Sequence, residues 1–102
     1  MSAHTRTLLA HLHRLAAPAA SDAVLLTRWI EQRDQAAFAA LMARHGPMVF
    51  GVCRRLLGDE QEAEEVFQAA FLVLSRQAAN LREPEALAGF LHTVAVRLAR
   101  KT

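Results

Sequence analysis

Residues 59–80, which read DEQEAEEVFQAAFLVLSRQAAN, decide the fold of this chain. Gly58, just before them, is typical of a helix end, and Asp59 with Glu62 three residues later forms a capping-box-like pair that starts a new helix. Five of the ten acids crowd its first two turns, where the helix dipole favours negative charge. Apolar residues then recur at helical spacing: Ala63, Val66, Phe67, Ala70, Phe71, Leu74, Ala78 and Leu81. The stretch therefore predicts a helix with one buried stripe and one acidic end.

Length and composition restrict the rest of the chain to one small helical domain. The 102 residues are 53% apolar, with much of that share alanine, and there is no Tyr. No run alternates with period two, so we expect no strand. Alanine with leucine and arginine favours helix. The sequence predicts an all-α fold, a small bundle of four to five helices.

Two helices are expected before residue 59. Ser21 and Asp22 are typical caps for a helix over about 22–33, and Asp34 for a longer one over 35–57. The expected core face of the first carries Val24, Leu25, Arg28, Trp29 and Ile30. The second has large apolar positions up to Leu56 and Leu57. Gly46-Pro47 interrupts it, and proline inside a helix loses a hydrogen bond, which predicts a kink or a short break.

The two ends of the chain differ in character. Pro84 suits the first turn of a last helix over about 84–101. We expect the core face of that helix to carry Leu87, Leu91, Val94 and Leu98. Residues 1–20 are predicted to be an N-terminal arm and linker before the 21–102 domain. Within the arm, residues 5–16 are expected to form a short amphipathic helix with Leu8, Leu12 and Leu15 on one side, serving for docking or as a membrane-surface anchor. The alternative is a loosely held arm that packs on its own domain or is disordered.

Several classes of function find little support in the sequence. Cys53 is the single cysteine, which predicts a buried core thiol, no disulfide and a cytoplasmic protein. His11 and His13 do not share a helical face, and His45 and His92 have no acid near them in sequence, so no metal site, cofactor or catalytic residue is expected. We expect no apolar run to be long enough to span a membrane.

Charge is divided between two helices. Glu64, Glu65 and Gln68 project from the acidic end of the 59–80 helix, where a partner rich in arginine would find them one turn apart. In the last helix, Phe90, Thr93, Arg97 and Arg100 lie along the flank beside the core face. An aromatic ring beside arginines suits single-stranded nucleic acid, although a solvated basic face at a helix C-terminus has the same pattern. The net charge of +2 does not decide between a nucleic-acid site and a solvated basic face.

Four stretches in order resemble the second conserved region of extracytoplasmic-function (ECF) sigma factors, most closely the planctomycete-like forms. They are residues 34–49 (DQAAFAALMARHGPMV), 54–59 (RRLLGD), 62–72 (EAEEVFQAAFL) and 90–95 (FLHTVA). The resemblance covers about Ser21 to Lys101. It implies a transcription initiation domain that docks on the clamp helices of the largest subunit of core RNA polymerase and captures the melted minus-ten promoter strand.

The resemblance also implies site residues. Polymerase docking falls on Glu65 and Gln68 beside Glu64; the acid that often follows the glutamine is Ala69 here. DNA capture falls on the loop before the last helix and on that helix, at Arg82, Phe90, His92, Thr93, Arg97, Arg100 and Lys101. The family commonly has Trp at the position of Phe90.

Two further expectations concern the chain as a whole. The resemblance implies a second, C-terminal promoter-binding domain, which would make this chain an isolated piece of a longer sigma factor, and an anti-sigma factor is a possible partner. The alternative is a helical protein-interaction module of sigma-like fold, a decoy or regulator, that does not bind DNA.

Overall fold

Four α-helices form the part of the chain that the computed structural model describes, residues 20–81 and 83–102. They are α1 (Asp22–Gln32), α2 (Gln35–Leu57), α3 (Glu60–Gln77) and α4 (Leu87–Lys101), with 3₁₀ turns at Ala78–Asn80 and Pro84–Ala86 between α3 and α4. The predicted all-α bundle is confirmed. The helix expected over residues 5–16 and the site residue Arg82 lie outside the described residues.

The helix starts follow the predicted capping residues. The Ser21 hydroxyl accepts the Val24 N–H at 3.2 Å, and the Asp34 carboxylate accepts the N–H groups of the first turn of α2 at 3.0 and 3.2 Å. Asp59 accepts the Glu62 N–H at 3.1 Å. Each carboxylate or hydroxyl oxygen thus pairs a donor that the start of a helix would otherwise leave without a partner. Gly58 ends α2 at φ 69°, in the left-handed region that glycine adopts without steric cost.

The central helix is α2, which contacts each of the other three helices. Of the kink or short break predicted at Pro47, the break does not occur, because one helix runs from Gln35 to Leu57 with Pro47 inside it. The kink stays a prediction. Pro47 itself is exposed, while Ala43 and Val49 on either side are buried against the bundle. Packing on both sides of the proline therefore outweighs the one backbone hydrogen bond that its ring removes.

The stripe predicted on α3 forms the middle of the core. Phe67 and Leu74 are fully buried and Phe71 is 2% exposed. The Phe67 and Phe71 rings lie 5.1 Å apart, and Phe71 meets Phe38 of α2 edge-on at 6.4 Å. These distances are the usual ones for favourable aromatic pairs. The regular spacing of apolar residues thus identified the core of α3 correctly.

The expected faces of α1 and of the end of α2 need correction. In α1 the buried side chains are Leu25, Leu26 and Trp29, whereas Val24 and Ile30 are 42% and 36% exposed. Trp29 sets this orientation, because its ring packs 4.8 Å from Phe38 and its Nε1–H donates to the Ser75 carbonyl at 3.1 Å. At the end of α2, Leu56 is 47% exposed.

The buried face of α4 is rotated slightly from the predicted one. Leu87 and Leu91 are fully buried as expected, but Val94 and Leu98 are only half-buried. Ala95 and Ala99 take the deepest positions further along. Because the side chains on this row are small, α4 can lie close to the neighbouring helices. The larger Val94 and Leu98 then pack at the edge of the buried face.

The helix α2 is also long and apolar enough to cross a membrane, by length and composition alone. The expectation that no apolar run has that length is therefore wrong for Gln35–Leu57. Within the bundle, 44% of its most apolar stretch is buried, and one such helix is weak evidence for a membrane span.

Candidate functional site

The acidic end of α3 forms an exposed surface, which we call the acidic surface. Six side chains line its shallow, open depression: Asp59, Glu60, Gln61, Glu64, Glu65 and Gln68. Glu65 and Gln68 are exposed and Glu64 is half-buried, so the three predicted docking residues lie together. Four carboxylates around one helix start favour a positively charged partner, and the positive end of the helix dipole stabilises the negative charge that they concentrate there.

An exposed leucine continues the acidic surface along α3. Leu72 follows Gln68 by four residues and Glu65 by seven, so the three share one side of the helix, and Leu72 is 52% exposed. Sequence reasoning assigned it to neither the core nor the site. The available signal was its position, since it falls outside the stripe of α3 at the helical spacing of Gln68. A polar surface with an apolar residue at its end is a common composition for a protein interface.

The cations of α4 lie on the side turned away from the core, and with Thr93 we call them the basic flank. Thr93, Arg97, Arg100 and Lys101 are all exposed. Their spacing of three and four residues places Thr93, Arg97 and Arg100 on one face of the helix. The basic flank is therefore free to meet a polyanion, and Arg guanidinium groups suit phosphate contacts.

The aromatic and imidazole side chains predicted for the same site are placed differently. Phe90 is half-buried and packs against the core cluster at the edge of the basic flank. His92 is exposed, but two residues along an α-helix correspond to a rotation of about 200°, so it and Phe90 lie on opposite flanks of α4. The structure thus brings Thr93, Arg97 and Arg100 together and leaves His92 on the other side.

A polar network at the start of α1 was not predicted. Asp22 Oδ2 lies 2.8 Å from His45 Nε2, and its Oδ1 accepts from Arg44 Nη1 at 2.8 Å. Arg44 Nη2 also donates to the Ala20 carbonyl at 2.6 Å. The sequence shows no acid near His45, because its partner Asp22 lies 23 residues away along the chain. The network attaches the start of α1 to the middle of α2.

Cys53 is a core residue with no exposed surface. Burial raises the pKa of its thiol, since the charged thiolate is disfavoured away from water. The thiol is therefore protonated and shielded at neutral pH, as the sequence predicted for a core cysteine. No group of three or more metal-ligating side chains occurs among residues 20–81 and 83–102.

Comparison with known proteins assigns this helical bundle to a class. Residues 41–102 match the family described as Sigma-70 region 2, and the match covers more than half of the chain. The chain therefore belongs to the Sigma-70 region 2 family. A curated relative is the RNA polymerase sigma-H factor of Pseudomonas aeruginosa, which is 29% identical over 75 residues, covering 74% of this chain and 39% of that protein. The chain thus spans about two fifths of that relative's length, and no solved structure matches significantly.

The family match contains both charged surfaces but not α1. It begins at Leu41 within α2, so α3 and α4 are included, while α1 and the first turns of α2 precede it. No charged side chain among the described residues is buried. The acidic surface and the basic flank are therefore both directed to solvent, on two helices of one bundle.

Proposed function

We propose that this domain is the promoter-melting domain of an ECF sigma factor. The acidic surface docks on the clamp helices of the largest subunit of core RNA polymerase, and the basic flank holds the separated minus-ten strand. The domain itself carries out no catalysis, and it works in the cytoplasm beside the polymerase and the promoter. The planctomycete-like form of the family is part of the same proposal.

The observation that carries the proposal is the exposure of two oppositely charged surfaces on one sigma region 2 fold. Glu65 and Gln68 on α3 are open to a basic protein, and Arg97 and Arg100 on α4 are open to phosphates. Because the two surfaces carry opposite charge, one small domain can bind two partners at once. The acidic surface repels DNA, and the basic flank repels a basic protein. Capturing an unpaired base costs the stacking energy that the base loses. Contacts between arginine side chains and the phosphates of the DNA strand help to offset that cost.

We expect Arg97→Ala and Arg100→Ala each to weaken binding of a single-stranded minus-ten oligonucleotide. Each lost phosphate contact should lower the slope of log affinity against log salt by about 0.7, the value for single strands. Fluorescence anisotropy at several salt concentrations measures both quantities. Arg54→Ala is the matched control, since Arg54 is exposed on α2 and lies outside the basic flank.

The same titration separates the proposal from its alternative. Wild-type binding that depends on oligonucleotide sequence and weakens with salt supports DNA capture. Equal effects of all three substitutions would mean general charge attraction rather than a site. If the domain binds the polymerase clamp but no oligonucleotide, it is the interaction module without DNA binding that the sequence left open.

We expect Gln68→Ala to weaken binding to a clamp-helix fragment without changing the melting temperature. Gln68 is exposed, so its amide contributes to an interface rather than to the fold, and one neutral hydrogen bond contributes about 0.5–1.5 kcal/mol. A pull-down with the fragment and a thermal melt measure the two effects. Gln77→Ala at the other end of α3 is the control, as Gln77 is also exposed. Unchanged capture by the Gln68 variant would remove this residue from the docking surface.

A further inference from the structure

The exposed side of α3 continues beyond the acidic surface. Four exposed residues form one row along the helix, at spacings of four, three and four: Gln61, Glu65, Gln68 and Leu72. The shallow depression of the acidic surface ends at Gln68. One turn further along, the row presents an apolar side chain at a place where a solvated helix face would carry a polar one.

Leu72 and Ala69 together form what we call the apolar patch. Leu72 is 52% exposed, the largest exposed fraction among the large apolar side chains of the described residues, and it takes no part in the core cluster. Ala69 lies three residues before it on the same side of the helix and is half-buried. Charged residues lie at both ends of the patch: Glu65 is one turn before Ala69, and Arg76 is one turn after Leu72.

The position of Leu72 matters more than its exposure. Val24 and Ile30 on α1 are also exposed, and apolar side chains that lie singly on a protein surface are common. Leu72 differs because it lies in line with a surface of carboxylates and amides on the same helix. Polar groups around an apolar residue are the usual composition of a site that binds another protein.

We propose that the acidic surface and the apolar patch together bind one helix of the partner protein, lengthwise along α3. This inference rests on the proposed docking function and adds what the partner must present: basic side chains opposite Glu65 and an apolar side chain opposite Leu72. Alternating spacings of three and four residues suit the packing of one helix along another. The acidic end attracts the partner, and burial of Leu72 holds it. The order of acid, apolar patch and Arg76 sets which way round the partner helix lies.

Binding of a clamp-helix fragment to the full chain, measured by calorimetry, tests the role of Leu72. We expect Leu72→Ala to weaken binding roughly five- to tenfold, because about half of the leucine is still available for burial. The loss should be equal at about 0.1 M and about 0.5 M salt, whereas the loss from Glu65→Gln should shrink at the higher concentration, because salt screens exposed charges. Ile30→Ala is the matched control, since Ile30 is an exposed apolar residue on α1, and it should bind like the wild type.

Ala69→Glu gives the decisive comparison. It adds a carboxylate beside Glu65, so attraction by charge alone would tighten binding to a basic partner. A glutamate in the apolar patch would instead face the apolar side of the partner helix, and we expect binding to weaken at least fivefold. Melting temperatures close to that of the wild type would show that both variants keep the fold.

The outcomes separate this inference from the proposed function. Tighter or unchanged binding by Ala69→Glu, or wild-type binding by Leu72→Ala, would overturn the inference and leave docking through the charged residues in place. If the wild type does not bind the fragment, the proposed docking fails and the inference fails with it. Dimerisation of the wild type that Leu72→Ala abolishes, with binding of the fragment unchanged, would assign the apolar patch to a second copy of the chain and overturn the inference as well.

Discussion

Replacing Phe71 with alanine is expected to lower the free energy of unfolding by about 3–5 kcal/mol, as for other buried phenylalanines. The Phe71 ring is 2% exposed and contacts both Phe67 and Phe38, so its removal leaves a cavity where α2 and α3 meet. The surrounding aromatic rings cannot all move to fill it, because each is held by further neighbours. Urea denaturation of both proteins, followed by circular dichroism, measures the difference.

Leu72→Ala is the control for this substitution. Leu72 is the next residue on the same helix and is 52% exposed, so its truncation should change stability by less than about 0.5 kcal/mol. Both substitutions place alanine at neighbouring positions of one helix, and the difference in helix propensity between Phe and Leu is small beside the expected cavity cost. A near-wild-type urea midpoint for Phe71→Ala would contradict the packing described here. A large loss for Leu72→Ala would mean that its side of α3 is covered.

The sequence predicted the middle of the bundle well because one side of α3 is apolar and the other polar. A residue such as Phe71 or Leu74 falls on the buried stripe whichever neighbour covers it, so the periodicity alone suffices. The helix starts at Ser21, Asp34 and Asp59 were also predictable, since capping depends on backbone donors within three residues. Local chemistry thus decided these features before any tertiary contact.

The orientation of α1 could not be predicted in the same way. Its eleven residues carry apolar side chains on several sides, including Val24, Leu26 and Ile30, so periodicity does not select one face. The choice is made by Trp29, through partners on α2 and α3 that lie far away in sequence. The pairing of Asp22 with His45 was not predictable for the same reason, because a separation of 23 residues carries no local signal.

The candidate site was predicted in part. Charged and amide side chains such as Glu65, Gln68 and Arg97 are exposed wherever their helix lies, so locating the helix located them. Phe90 and His92 depend on how α4 rotates in the bundle, and that rotation is set by the fit of Ala95 and Ala99. The roles of Phe90 and His92 in binding DNA stay predictions. On α3, the exposed Leu72 offers an apolar contact beside the proposed docking residues.

Replacing Trp29 with alanine is expected to cost about 3–5 kcal/mol of stability, although Trp29 lies outside the residues that match the family. Its ring is 8% exposed, packs on Phe38 and carries the Arg33 guanidinium 4.9 Å above it. Its Nε1–H also joins α1 to the end of α3 through the Ser75 carbonyl. Urea denaturation gives the loss, and the fluorescence of the single tryptophan gives a second measure in the wild type.

Trp29→Phe separates the packing of the ring from its hydrogen bond. The phenyl ring keeps the contact with Phe38, and the Ser75 carbonyl keeps a donor, because Arg33 Nη1 lies 3.3 Å from it. No buried acceptor is then left unpaired, so we expect a smaller loss, about 1–2 kcal/mol. Equal losses in the two variants would mean that the hydrogen bond, and not the ring, holds α1. Negligible losses in both would mean that α1 is not part of the cooperative fold.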